Sequence, residues 1–159
     1  MPSRFLVLLA ALCLACSVRA EVANGQTVPP FETRLLDGKT VSAQALKGKT
    51  VLVVFWATWC PICQRELPVL EALYARYRDK GFEILALSVD ADAFTLEEFW
   101  KDHDYSFPVA MRAEAHAQIF NPGKAIPSLY LIDRKGVLRF SHVGELKEDV
   151  LKAQLLPLL

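Results

Sequence analysis

The stretch FWATWCPICQRE, residues 55–66, places Cys60 and Cys63 two residues apart. Such a pair could be a structural staple, half of a metal site, a haem anchor or a redox centre. A disulfide closing so short a loop stabilises by roughly 2 kcal/mol, against about 3 for a fifteen-residue loop. A chain of 159 residues that is 53% hydrophobic can bury a core without that help. Structural zinc takes four ligands, commonly as two paired sets. The other candidates here are the dispersed His103, His116 and His142, read as neutral surface imidazoles. Covalent haem attachment needs His directly after the second cysteine, where this chain has Gln64. A Cu(I) carrier using both thiolates stays open as an alternative, although no Met- or His-rich partner set accompanies the pair.

Redox chemistry has a physical basis in the flanks. The run TVLVVFW at 50–56 is continuous, β-branched and apolar, the pattern of a strand buried on both faces. Residues 60–80 read as a helix, with Pro61 preorganised at its first position and Gly81 as its stop. Cys60 then falls at a strand–helix junction, where the macrodipole and the free N–H groups favour its thiolate. Cys63, one turn inside, can attack a mixed disulfide on Cys60 and release product. Cys60 is therefore expected as the exposed nucleophile and Cys63 as the shielded resolving thiol. Glu66 follows on the same helical face. A carboxyl desolvated there would have a raised pKa and could exchange protons with Cys63 near neutrality. The other reading is an exposed acid that the helix dipole favours in the first turns. Between the cysteines, Pro61 and Ile62 supply no His or cation to hold the Cys60 thiolate. This argues for a reductant over a strong oxidant, with an oxidase or isomerase as the alternative.

The elements that must position these residues follow from pattern. Residues 31–36, an Asp37-Gly38 turn and 39–41 form a hairpin. Ser42 caps a short helix to 46, closed by Gly48. A second buried strand covers 82–89, a helix starts near Thr95 and runs to about 102, and a short strand covers 107–110. A helix at 113–120, a hairpin of 128–132 with 137–142, and a final helix at 147–156 complete the chain. Leu67, Leu70, Tyr74 and Tyr77 recur at helical spacing and should face the sheet. Pro68 should kink that helix, because its ring meets the carbonyl of Gln64. Phe94, Phe99 and Trp100 are expected in the core of the 90–110 segment. Strands alternating with helices and closing on a hairpin give an α/β fold, a mixed sheet covered on both faces.

Residues 1–20 form a secretory signal: a short positive start, an apolar run at 5–16, and Ser17-Val18-Arg19-Ala20 with Val18 and Ala20 at the small-residue cleavage positions. The run is shorter than the about 20 residues a membrane span needs. Cleavage removes Cys13 and Cys16 together with Arg4 and Arg19, leaving 16 basic and 18 acidic residues, a net charge of −2. No basic excess remains for nucleic acid or a membrane surface. Leu14-Ala15-Cys16 loosely resembles a lipoprotein cleavage box; processing there would instead leave a lipidated, membrane-tethered Cys16. The expected division is a signal at 1–20, a polar, mobile lead-in at 21–30 and one domain at 31–159. The protein is expected in the periplasm or secreted, where dithiol chemistry meets an oxidising space.

Three segments carry a resemblance in register. WATWCPICQRELP resembles the active site, KGKTVLVVFWATWC the strand leading to it, and IPSLYLIDRKGVLRF the proline loop and closing hairpin, of the extracytoplasmic thioredoxin-like family typified by ResA, TlpA and the cytochrome c maturation thioredoxins. The likeness runs from about residue 31 to the C-terminal helix. It implies a thioredoxin fold, a central mixed β-sheet flanked by helices, with an N-terminal hairpin and a strand–helix insertion at 90–110. It implies that Ile126-Pro127 is a cis peptide facing the dithiol, leaving the backbone of residue 126 free to pair with an extended substrate. By the same likeness Cys60, Cys63, Glu66 and Pro127 are catalytic, with Glu66 handling protons for the buried thiol, and Trp59, Pro61, Ile62 and Ile126 touch substrate. Val54 departs from ordinary thioredoxin, which usually carries a buried Asp at that place. The implied activity is reduction of protein disulfides, such as an oxidised apocytochrome c CxxCH site or a copper-site assembly protein. Electrons would come from a membrane thiol carrier of the DsbD type. No metal and no cofactor beyond the Cys60–Cys63 disulfide is implied, no flavin or nicotinamide motif being present, and the protein is expected as a monomer.

Overall fold

The computed structural model describes residues 21–159. The signal segment, with its cleavage site and Cys16, lies outside the described residues. At the centre is β3 (Thr50–Trp56), all of whose residues are buried. It pairs in parallel with β4 (Phe82–Ser88) and antiparallel with β6 (Ser128–Ile132). Beyond β4 lies the parallel strand β5 (Val109–Met111), and beyond β6 the antiparallel β7 (Leu138–Val143), giving the order β5-β4-β3-β6-β7. A separate antiparallel hairpin joins β1 (Glu32–Arg34) to β2 (Thr40–Ser42).

Alternation along β3 divides the core between two faces. Leu52, Val54 and Trp56 pack with α1 (Pro61–Tyr77), α2 (Ala93–Lys101) and α4 (Glu148–Leu155). Val51, Val53 and Phe55 pack with α3 (Glu114–Phe120) and with Phe31 and Leu35, which flank β1. Both faces are thereby covered, which is why β3 and β4 read as unbroken apolar runs. Helix α1 turns Cys63, Glu66, Leu67, Leu70, Leu73 and Tyr77 inward and continues through Pro68 to Tyr77. Tyr74 is only half-buried, and its desolvation beside Glu83 pushes the phenol up to about 12.

Four expectations change. No helix follows Ser42: its hydroxyl accepts from the Ala45 N–H at 3.2 Å, and the chain continues as successive tight turns to Gly48. The segment is too short to repay helix nucleation, and Gly48, at φ +83°, reverses it into β3. The polar lead-in is anchored. Val22, Gly25 and Val28 donate backbone hydrogen bonds to Ile119, Leu138 and Gly136 at 2.9, 2.7 and 2.8 Å, and Val22 is buried. Its two valines supply the apolar contacts that average composition hides. Phe94 is not core: it stands 71% exposed at the start of α2, while Phe99 and Trp100 pack against Trp56. His116 is not a surface imidazole but fully buried, because α3 presses it against Phe31 and Thr33.

Candidate active site

The chain leaves β3 at Trp56, makes a short turn and enters α1 through Cys60. Cys60 is the N-cap, extended at φ −90° and ψ 108°, and its Sγ accepts the Cys63 N–H at 3.2 Å. Pro61 occupies the first helical position, where its missing N–H costs nothing. No acidic side chain lies in this first turn to oppose a thiolate. Cys60 and Cys63 form a disulfide with Cα atoms 5.3 Å apart. Cys63 is 1% exposed and Cys60 only 5%, so in the disulfide form the expected nucleophile is nearer the surface without being open. Trp59 beside it is 65% exposed, Pro61 is exposed and Ile62 half-buried.

The Ile126–Pro127 peptide is cis. Ser128 pairs with Phe55, so the two residues before it lie beside Trp56 and Ala57, where β3 runs out toward Cys60. Ile126 packs against the cluster that holds both cysteines, and Pro127 is buried. The Pro127 carbonyl accepts from the Gly144 N–H at 2.8 Å, and the Ser128 hydroxyl donates to the Ala125 carbonyl at 2.7 Å. Two strands that are distant in sequence thus deliver the cysteine pair and the proline loop to one end of the sheet.

Glu66 is not an exposed first-turn acid. It is 7% exposed on the inward face of α1, one turn beyond Cys63. Oε1 accepts the Leu146 N–H at 2.6 Å, while the buried Oε2 has no partner. Burial raises its pKa above the ordinary carboxylate value. The Leu146 N–H pulls it back, Glu145 raises it further, and His142 and Arg65 lower it. A half-bonded carboxyl behind a buried thiol is suited to taking and returning a proton.

One residue of the site escaped the sequence reading. Asp90, just past β4, is buried and surrounded by donors. It accepts from the Thr58 N–H at 3.1 Å, the Thr58 hydroxyl at 2.7 Å and the Ser88 hydroxyl at 2.5 Å. The Gln64 amide holds the Thr58 carbonyl from the other side. The available signal was positional: in parallel neighbours, residues just past the C-terminal ends of the strands share one rim, and Asp90 follows β4 as the CxxC turn follows β3. Among the described residues no group of three or more His, Cys, Asp or Glu is placed to hold a metal ion.

Comparison with known proteins agrees with this geometry. The family model described as Redoxin matches residues 23–155. A thiol-disulfide oxidoreductase ResA from Bacillus cereus is 35% identical over 132 residues, covering 82% of this chain and 76% of the relative. A ResA from Oceanobacillus iheyensis is 32% identical, covering 96% of this chain and 84% of that one. Among solved structures, a putative thiol:disulfide interchange protein DsbE from Chlorobium tepidum superposes with a TM-score of 0.78 at 28% identity, covering 86% of this chain and 98% of its own. The five-stranded mixed sheet with its four helices and N-terminal hairpin is a thioredoxin-like fold.

Proposed function

The chain belongs to the Redoxin family and is a thiol–disulfide oxidoreductase, and from that premise we propose that it works outside the cytoplasm as a reductant of protein disulfides. The reading rests most on one observation: the disulfide joins an N-cap cysteine to a buried cysteine backed by the half-bonded carboxyl of Glu66. In the reduced protein the Cys60 thiolate attacks a substrate disulfide, forming a mixed disulfide and expelling one substrate thiolate. Cys63 gives its proton to the Glu66 carboxylate, attacks Cys60 Sγ and expels the second substrate thiolate. Two electrons pass to the substrate; one proton follows from Cys63 through Glu66, and the other, released when Cys60 ionised, comes from solvent. Trp59, Pro61, Ile62 and Ile126 border the substrate, and the cis Ile126–Pro127 peptide offers it backbone pairing.

The substrate class is an oxidised pair in a partly unfolded protein, such as apocytochrome c CxxCH or a copper-site assembly protein. A membrane thiol carrier of the DsbD type resupplies electrons to the monomeric enzyme. Location follows from the signal pattern at 1–20, and the reducing direction from Pro61-Ile62, which brings no cation to the thiolate.

The test equilibrates the Cys60–Cys63 couple with glutathione and, in parallel, mixes the reduced protein with a CxxCH peptide disulfide. The expected outcome is a couple more reducing than glutathione, rapid reduction of the peptide, and a trapped mixed disulfide through Cys60 in Cys63→Ser. A couple that oxidised glutathione leaves reduced would make the protein an oxidase instead.

A further inference from the structure

We propose that Asp90 is a positioning residue of the redox centre, fixing through Thr58 the turn that presents Cys60 and holding the Cys60 thiolate in check by its own charge. This deepens the reductase reading and rests on it for its biological meaning.

The turn at 57–59 closes on a backbone bond of its own from the Cys60 N–H to the Ala57 carbonyl, at 3.2 Å. It joins a fully buried strand to a helix and belongs to neither, so the rest of its backbone must be held from outside. Asp90 does this. The Thr58 N–H lies 3.1 and 3.3 Å from the two carboxylate oxygens, and the Thr58 hydroxyl donates to Oδ1 at 2.7 Å. On the far side Asp90 is itself fixed: Oδ2 accepts from the Ser88 hydroxyl at 2.5 Å, and that hydroxyl accepts the Asp90 N–H at 3.0 Å. A further backbone bond, from the Val89 N–H to the Trp56 carbonyl at 2.8 Å, ties the same two strand ends together. Thr58, Ser88 and Asp90 are all buried, so these contacts are shielded from water. Such charge-assisted bonds are among the stronger ones available to a loop.

The choice of a carboxylate has a second consequence. Asn or Ser could also close this turn, but Asp brings a negative charge to a buried place against Thr58, which stands two residues before the nucleophile. A like charge disfavours the thiolate form of Cys60 and so opposes the helix dipole. Couples whose reduced form is less stabilised lie toward the reducing end of the scale. Within the first turn of α1 no acid has this effect, so the nearby anion comes from the neighbouring strand instead. A structural clamp and a brake on thiolate formation are then the same group.

Asp90→Asn separates charge from shape. The Asn carbonyl can accept from both groups of Thr58, and its amide can donate to the Ser88 hydroxyl, which is free to rotate. Two readouts apply: the pH profile of Cys60 alkylation in the reduced protein, followed by mass, and the equilibrium of the couple against glutathione. The expected result is Cys60 alkylation at neutral pH faster by about 3- to 10-fold, with the profile moved to lower pH, as for loss of one nearby like charge. The glutathione equilibrium shifts toward the reduced dithiol. Thr58→Val, which keeps the charge and loses the hydroxyl bond, should show no such acceleration. An alkylation profile and equilibrium of Asp90→Asn superimposable on wild type, whatever the melting temperature does, would overturn the proposal. Neither readout requires turnover of a protein disulfide. A wild-type protein inert toward CxxCH disulfides would therefore remove the reductase reading while Asp90 still stood or fell on its own result.

Discussion

Glu66 and His116 are both buried and titratable, and they sit on opposite faces of the same sheet. His116 is finished. The Ala113 N–H donates to its Nδ1 at 2.9 Å, which fixes Nε2 as the donor to the Thr33 hydroxyl at 2.8 Å, and Phe31 meets the ring edge-on. Glu66 is unfinished: one oxygen takes the Leu146 N–H and the other takes nothing. Desolvation is the leading influence on both, holding the imidazole neutral by lowering its pKa and pushing the carboxyl toward its neutral form by raising it. Burial alone therefore does not mark a working group. On the proposed reading, what separates the two is incomplete bonding one helical turn from a redox cysteine, since a fully bonded buried group is structural.

The largest expected effect breaks the structural half of this comparison. His116→Ala leaves the Ala113 N–H and the Thr33 hydroxyl without partners and opens a cavity, costing roughly 2–4 kcal/mol in urea unfolding. Cys60 alkylation in the folded variant should match wild type. The lowered pKa also sets a direction. Between the folded value and 6.5 the unfolded chain binds more protons, so this stability is present above pH 6.5 and is lost as pH falls through the folded value. His116→Gln should flatten that acid limb. A His116 variant that kept its stability but lost disulfide exchange would reverse the assignments.

Glu66→Gln addresses the other half. It should leave the Leu146 bond in place and slow reduction of a CxxCH disulfide by roughly 10- to 100-fold, near the lower end of acid–base contributions. The defect should vary with pH in a stopped-flow series from pH 5 to 9, because the missing carboxyl takes and returns the proton of the step and its pKa is raised by burial. Its linkage runs opposite to that of His116. A raised carboxyl pKa means that the folded state holds the proton above the unfolded value of 4.5. Stability therefore declines as pH rises from 4.5 through the folded value, and the Gln variant should lose that slope. Wild-type exchange with an unchanged pH profile would show Glu66 to be as structural as His116.

How much of this was legible before the structure depended on whether the signal was local. The buried strand TVLVVFW, Pro61 at the helix start and the CxxC spacing are contiguous, and they placed Cys60 at the N-cap and Glu66 one turn behind Cys63. The cis bond at Pro127 came only with the family resemblance, since nothing in the chain around a proline declares its isomer. Asp90 stayed hidden because its meaning lies in the pairing of β3 with β4, which sets it beside Thr58 across 32 residues. His116 was misplaced for the same reason: its partner Thr33 is 83 residues away. Phe94 failed differently. An aromatic at helical spacing defaults to core, yet the start of α2 turns it 71% into solvent.

The smallest effects come from the charges that surround Glu66, and their signs make them informative. Glu145 raises its pKa, while Arg65 and His142 lower it. Arg65 and Glu145 also meet at 3.4 Å as an exposed pair, with side chains 59% and 57% accessible. Breaking that pair should change stability by no more than about 1 kcal/mol. The two substitutions should nevertheless move the pH profile of disulfide exchange in opposite directions. Glu145→Gln removes a neighbouring negative charge, so Glu66 ionises more readily and its limb of the profile moves to lower pH. Arg65→Gln removes a positive charge and moves the same limb to higher pH. Both displacements act through solvent-exposed groups, so they should shrink near 1 M salt, where the screening length falls to about 3 Å. Shifts of the same sign in the two variants, or shifts that persist unchanged at high salt, would mean that the limb belongs to some group other than Glu66. The contrast between the unfinished carboxyl and the finished imidazole would then lose its functional side.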